Sequence, residues 1–221
     1  MRLMAIVTRG SLAGRRQIIT SLAVLLFSFS AGSLPASAND GEAGKFILSL
    51  GERAVSVLRD KEGTTFAERE NAFRQILVEG FHMDTISRFV LGRYWRSATS
   101  AQRSAYNDVF VDFIVRVYAS RFASYNGEQF KIKKTIRSNS EGDSIVRAQI
   151  QRPSGAEPIG VDFRVRLIEG SYKVVDVTVE GISMLHTHRV EFASVINRGG
   201  MDSFLDELRA QVTVRGENVD N

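Results

Sequence analysis

The 221-residue chain carries 29 lysines and arginines against 25 aspartates and glutamates, and no cysteine. The missing thiols exclude a disulfide framework, thiol catalysis and cysteine-ligated metal. The formal charge is +4, yet four arginines (Arg2, Arg9, Arg15, Arg16) and no acid fall in the first 38 residues, so from Asn39 onward the charges balance and the basic footprint of a nucleic-acid binder is absent.

In chain order, residues 1–38 read as a cleavable signal peptide. An arginine-bearing start leads into a 14-residue apolar run, Ile18 to Ala31, and then Leu34-Pro35-Ala36-Ser37-Ala38 offers a small-residue cleavage site. A membrane-spanning helix needs roughly 20 mostly apolar residues, so the run is too short for an anchor. Arg15-Arg16 resembles a twin-arginine export signal, and paired arginines also occur in general secretory signals, so both routes stay open. The implied localisation is the periplasm. Residues 39–44 are polar and read as a disordered lead, 45–211 as a single α+β domain and 212–221 as a polar tail.

Within that domain, Phe46, Ile47, Leu50, Ala54, Val57 and Leu58 recur at helical spacing over 45–59. Thr65 with Glu68 forms a capping-box pattern and opens a second helix that ends near Gly80. Asp84 or Thr85 is placed to cap a third, which Gly92 stops. Thr99 to Gln102 opens the longest expected helix, with apolar steps of three and four from Tyr106 to Phe122. The period then changes to two. Four runs alternate apolar and polar residues: Phe130 to Arg137, Val146 to Gln151, Ile159 to Leu167 and Tyr172 to Val179. Short turns join them, which makes an antiparallel meander with one apolar face. Helical spacing returns at Ile182 and breaks at Gly199-Gly200 before a last helix around Phe204 to Leu208. The expected architecture is α+β, with helices packed on one face of a four-stranded antiparallel sheet.

Catalytic and metal-binding patterns are sparse. His186 and His188 are two residues apart, and on a helix such a pair points in different directions, which speaks against chelation. Ser183 follows a strand and opens a helix, with Asp176 and His186 as possible triad partners. The second glycine of a nucleophile elbow is missing and the sheet reads as antiparallel, so helix capping by Ser183 suits the pattern better. No phosphate-binding glycine loop is present. The expectation is a non-enzymatic protein without metal or cofactor. Aromatic side chains crowd the helical half, either as a filled core or around a hollow one.

The segment Ile86-Ser87-Arg88-Phe89-Val90-Leu91-Gly92-Arg93-Tyr94-Trp95 resembles a characteristic block of the MlaC-like, toluene-tolerance family of periplasmic phospholipid carriers. Ala98 to Arg103 is similar to that family's helix start, and Tyr172 to Val177 to its final long strand, with tyrosine where tryptophan is usual. Val179 to Met184, Arg189 to Phe192 and Gly199 to Asp202 extend the resemblance over roughly 45–210.

The resemblance implies a carrier that shuttles phospholipid between an outer-membrane complex and an inner-membrane ABC transporter with its substrate-binding ring, docking on each transiently and supporting outer-membrane lipid asymmetry. The phospholipid is then cargo rather than cofactor. A hopanoid-associated branch, a lipid-free adaptor of such a transporter and a hydrolase using Ser183 are the other readings. The physics suits a carrier: about 30 acyl methylenes at roughly 0.8 kcal/mol each come to on the order of 20 kcal/mol, too much for free diffusion through water. The cavity is expected between the long helix, contributing Phe110, Phe113, Ile114 and Val117, and the sheet, contributing Val161, Phe163, Val165, Val175 and Val177. Val90, Leu91 and Trp95 are expected to close one end.

Overall fold

The sheet follows from its turns. Strands β1 (Gln129–Arg137), β2 (Asp143–Gln151), β3 (Ile159–Ile168) and β4 (Ser171–Val179) pair in sequence order, all antiparallel, and a two-residue β5 (Ile182–Ser183) adds to β4. The β3–β4 and β4–β5 turns are both Glu-Gly pairs with positive φ at each residue: Glu169 (49°) and Gly170 (79°), then Glu180 (48°) and Gly181 (81°). That backbone twist matches the twist of the flanking strands, which is why such turns close tight hairpins.

In this computed structural model residues 38–59, 64–119, 125–138, 140 and 142–217 are described, and all belong to one unit, Pro35–Asn221. The expected signal peptide, apart from Ala38, and Phe122 lie outside the described residues. None of the described helices is long and apolar enough to cross a membrane.

Two β-bulges change which side chains share a face. Ile132 pairs with Ala148 but Lys134 with Arg147, so Lys133 is the extra residue and Thr135, rather than Ile136, joins Ile132 on the inner face. Arg164 pairs with Asp176 but Val165 with Val174, so Val175 is extra and Tyr172 and Val174 share a face with Val177 and Val179. Strict alternation had put Val175 on that face in place of Val174. At the β2 start, the buried Asp143 carboxylate accepts from Arg166 Nε (2.6 Å) and Nη2 (3.0 Å).

The helices are α1 (Ala38–Arg59), α2 (Phe66–Gly80), α3 (Met83–Leu91), α4 (Arg93–Ser97), α5 (Ser100–Ala119) and α6 (Met184–Glu217). Helix α1 begins at Ala38, so residues 39–44 are helical rather than a disordered lead. Ala43 is fully buried there, and Gly44 sits so close to Thr135 that a Cβ would stand 2.9 Å from its hydroxyl. Helix α6 turns at Gly200 (φ 80°, ψ 177°), as the Gly199-Gly200 pair suggested, and runs on to Glu217, so 212–217 are helix rather than tail.

Helix α3 is capped by His82, whose Nδ1 accepts from the Thr85 N–H at 3.2 Å, and not by Asp84 or Thr85. At α2, Thr65 accepts from the Glu68 N–H while the Thr65 N–H and hydroxyl both donate to the Glu68 carboxylate. Those two bonds, the backbone one first, hold the Glu68 carboxyl below its ordinary 4.5. A lowered carboxyl stabilises the fold above its unfolded value, and that contribution disappears as pH falls through the folded value. Losing the N-cap hydroxyl in Thr65→Ala should cost about 1 kcal/mol at neutral pH. The gap to the parent, read from urea midpoints, should narrow between pH 7 and pH 3.

The apolar interior has two parts. One is helical: α5 packs on α6, α2 and α3 around Tyr106, Phe110, Phe192 and Phe204. Burial pushes the Tyr106 phenol well above 10, so it stays a neutral donor and bonds the Ser87 carbonyl at 3.1 Å. The other lies on the sheet, where α1 covers β1 and β2 and α2 meets β4. Phe81 touches both parts, and the following His82 N–H donates to the Val174 carbonyl at 3.0 Å.

Candidate binding pocket

An apolar pocket of about 480 Å³ opens between α1, α2 and the inner face of the sheet. Small-molecule sites run from about 300 to 1,000 Å³. Helix α1 supplies Ile47, Leu50, Ala54 and Leu58, α2 supplies Phe73 and Ile76, and the sheet supplies Phe130, Ile150, Ile159 and Phe163. Helical spacing turns the α1 side chains onto one stripe, and strand alternation aims the sheet residues at it. Gly51 lets the two surfaces meet: a Cβ there would lie 2.3 Å from the Phe130 ring. A glycine inside a helix costs roughly 0.5–1 kcal/mol against alanine, and here it permits that close approach.

Polar groups gather at one end of the pocket. Tyr125, Glu128 and Gln129 line it beside the last turn of α1. Arg59 Nε donates to the Tyr125 hydroxyl at 3.2 Å, and that hydroxyl donates to the Glu128 carbonyl at 3.2 Å. The Asn126 N–H donates to the Glu128 carboxylate at 2.7 Å.

The structure separates the side chains expected to share one cavity. Of the twelve, Phe163 alone lines this pocket. Val165 and Val177 belong to the same sheet-side cluster, and Val161 and Val175 are buried at 5% exposure. The long-helix residues lie elsewhere, because α1 rather than α5 occupies the sheet face. Phe110 and Ile114 are in the helical core with Val90 and Leu91. Phe113 and Val117 border a different hollow, of about 390 Å³, between α5 and α6, which also contains His188, Glu191 and Glu207. Trp95 lines neither of these two pockets. Two guanidinium groups lie over its ring, Arg88 at 5.3 Å and Arg103 at 5.8 Å from the centroid.

Sequence reasoning missed the α1 and α2 lining. The usable signal was Gly44, Gly51 and Ala54 on the apolar stripe of the first helix: small residues there let a helix lie flat on a sheet.

The residues weighed for catalysis have structural partners. The Ser183 hydroxyl donates to the Asp176 carboxylate (2.9 Å to Oδ2) and accepts from the His186 N–H at 3.1 Å, so it caps α6. The His188 ring lies 3.1 Å from the Tyr118 hydroxyl and 3.2 Å from Glu191 Oε2. No group of three or more metal-ligating side chains forms among the described residues. Ser183→Ala should cost about 1 kcal/mol of stability in thermal or urea unfolding.

The fold and pocket define a class: a helical layer on a bulged antiparallel meander, with an apolar pocket beneath its first helix. The family described as MlaC protein matches residues 49–210, and the chain belongs to it. The intermembrane phospholipid transport system binding protein MlaC of Haemophilus influenzae is 25% identical over 122 residues, 54% of this chain and 57% of that protein. The chain thus spans a little over half the length of that relative. Toluene tolerance protein ttg2D of Pseudomonas putida is 23% identical over 154 residues, 68% of this chain and 71% of its own length. A solved phospholipid-binding protein from Ralstonia solanacearum, in complex with a phospholipid, has the same fold. It superposes with a TM-score of 0.69 at 22% identity, covering 79% of this chain and 98% of that one.

Proposed function

We propose that this chain is an exported, non-enzymatic phospholipid carrier of the bacterial envelope. The observation that carries this reading is the apolar pocket of about 480 Å³ between α1, α2 and the sheet, with its polar groups confined to one end. Family membership and the functions for which the two relatives are named support it. On this reading the acyl chains lie against Ile47, Leu50, Ala54, Phe73, Phe130 and Phe163, and the headgroup stays at the wet end. The N-terminal 38 residues direct export and are removed, and the carrier exchanges lipid with an inner-membrane ABC transporter and an outer-membrane complex. Native mass spectrometry of the mature protein, purified from a cell envelope, tests this. Co-purified phospholipid at up to one molecule per chain is the expected result. A protein that is empty and also takes nothing from phospholipid vesicles contradicts it.

A further inference from the structure

Next to the apolar pocket, and sharing Val55, Gln129 and Phe130 with it, lies a second depression of about 580 Å³ between α1 and β1. Its character is different. The remaining lining is Glu52, Ser56, Arg59 and Lys131. Arg59 is tied to the apolar pocket through Tyr125, which borders it. Among the described residues no carboxylate lies within ion-pairing distance of Arg59 or Lys131, whereas Arg53, Arg74, Arg116, Arg147, Arg166 and Arg209 each have one.

We propose that this depression is the headgroup site of the lipid whose chains occupy the neighbouring pocket, with Arg59 and Lys131 binding its phosphodiester. The proposal rests on the carrier reading above. An amphiphile needs an apolar space and a polar one in direct continuity, and these two share three lining residues. Arg59 donates its Nε–H to Tyr125, which orients the guanidinium, and the planar guanidinium fork matches two phosphate oxygens. Lys131 adds a point charge from the strand on the other side. With Glu52 the site has a net charge of +1, which balances the single negative charge of a phosphodiester. A neutral polycyclic lipid gains nothing from these cations, so the site selects phospholipid over that class.

The test uses delipidated mature protein and phosphatidylcholine vesicles doped with diacylglycerol. The vesicle surface has no net charge, so electrostatic approach does not enter, and both lipids offer acyl chains. The readout is the ratio of phosphatidylcholine to diacylglycerol on the protein by native mass spectrometry. Substituting Arg59→Gln with Lys131→Gln should lower that ratio about tenfold, as loss of charge-assisted phosphate bonds implies. Total lipid per folded chain should persist through diacylglycerol, and the melting temperature should not move. An unchanged ratio overturns the headgroup site while leaving the carrier intact. A parent protein that takes neither lipid overturns the carrier reading and this one together. Millimolar inorganic phosphate should leave the parent ratio unaltered. Tight binding of inorganic phosphate alone, lost in the double variant, would instead make this a free-anion site.

Discussion

Ala54→Phe should yield a folded protein that carries no lipid. Ala54 stands on the apolar stripe of α1 and lines the pocket, so a benzyl group there projects into the space assigned to acyl chains. Filling an existing void adds apolar contact without displacing core atoms. Burying a phenylalanine side chain is worth about 1.5–3 kcal/mol, and imperfect fit removes part of that. The lipid-free variant should melt no lower than the lipid-free parent and up to a few degrees higher, since 1 kcal/mol shifts the melting point by roughly 2–4 °C at this size. Lipid recovered per chain should drop at least tenfold. Full lipid load with unchanged stability would place the cargo elsewhere.

Phe192→Ala should do the opposite, lowering stability severely while leaving lipid per folded molecule unchanged. Phe192 is 4% exposed, with ring centroids 4.8 Å from Phe204, 5.4 Å from Phe113 and 6.3 Å from Tyr106. Truncating such a side chain costs about 3–5 kcal/mol, a fall of roughly 6–20 °C in melting point. Denaturant melts and native mass spectrometry at low temperature separate the two effects. Together the two variants test whether the pocket between α1 and the sheet, rather than the hollow between α5 and α6 that Phe192 borders, encloses the cargo. Loss of lipid from folded Phe192→Ala would move the cargo to the α5–α6 side.

The α+β architecture could be read from periodicity because each element obeys a local rule. The period-two runs became β1–β4 in order, Thr65 with Glu68 made the capping box, and Gly200 breaks α6 where the glycine pair stands. What periodicity does not carry is the partner of each apolar stripe. The stripes of α1 and α5 look alike in sequence, and the expected cavity sets the long helix, α5, against the sheet. Those aromatics pack against α6 and α3 instead, while α1, with Gly44 and Gly51, can approach the strands closely enough to cover them. Phe163 faces the pocket because β3 keeps strict alternation, whereas one extra residue in β4 shifts the phase and turns Val175 off that face. Alternation thus puts Phe163 on the inner face of the sheet, and periodicity alone leaves open which helix covers that face.

The most direct measurement is a crystal structure of the mature protein with its co-purified lipid. Acyl-chain density bounded by Ile47, Ala54, Phe73 and Phe163, with the phosphate toward Arg59, is the expected result. Acyl density in the hollow beside Phe113 and His188, with the α1 pocket holding only water, would contradict the account.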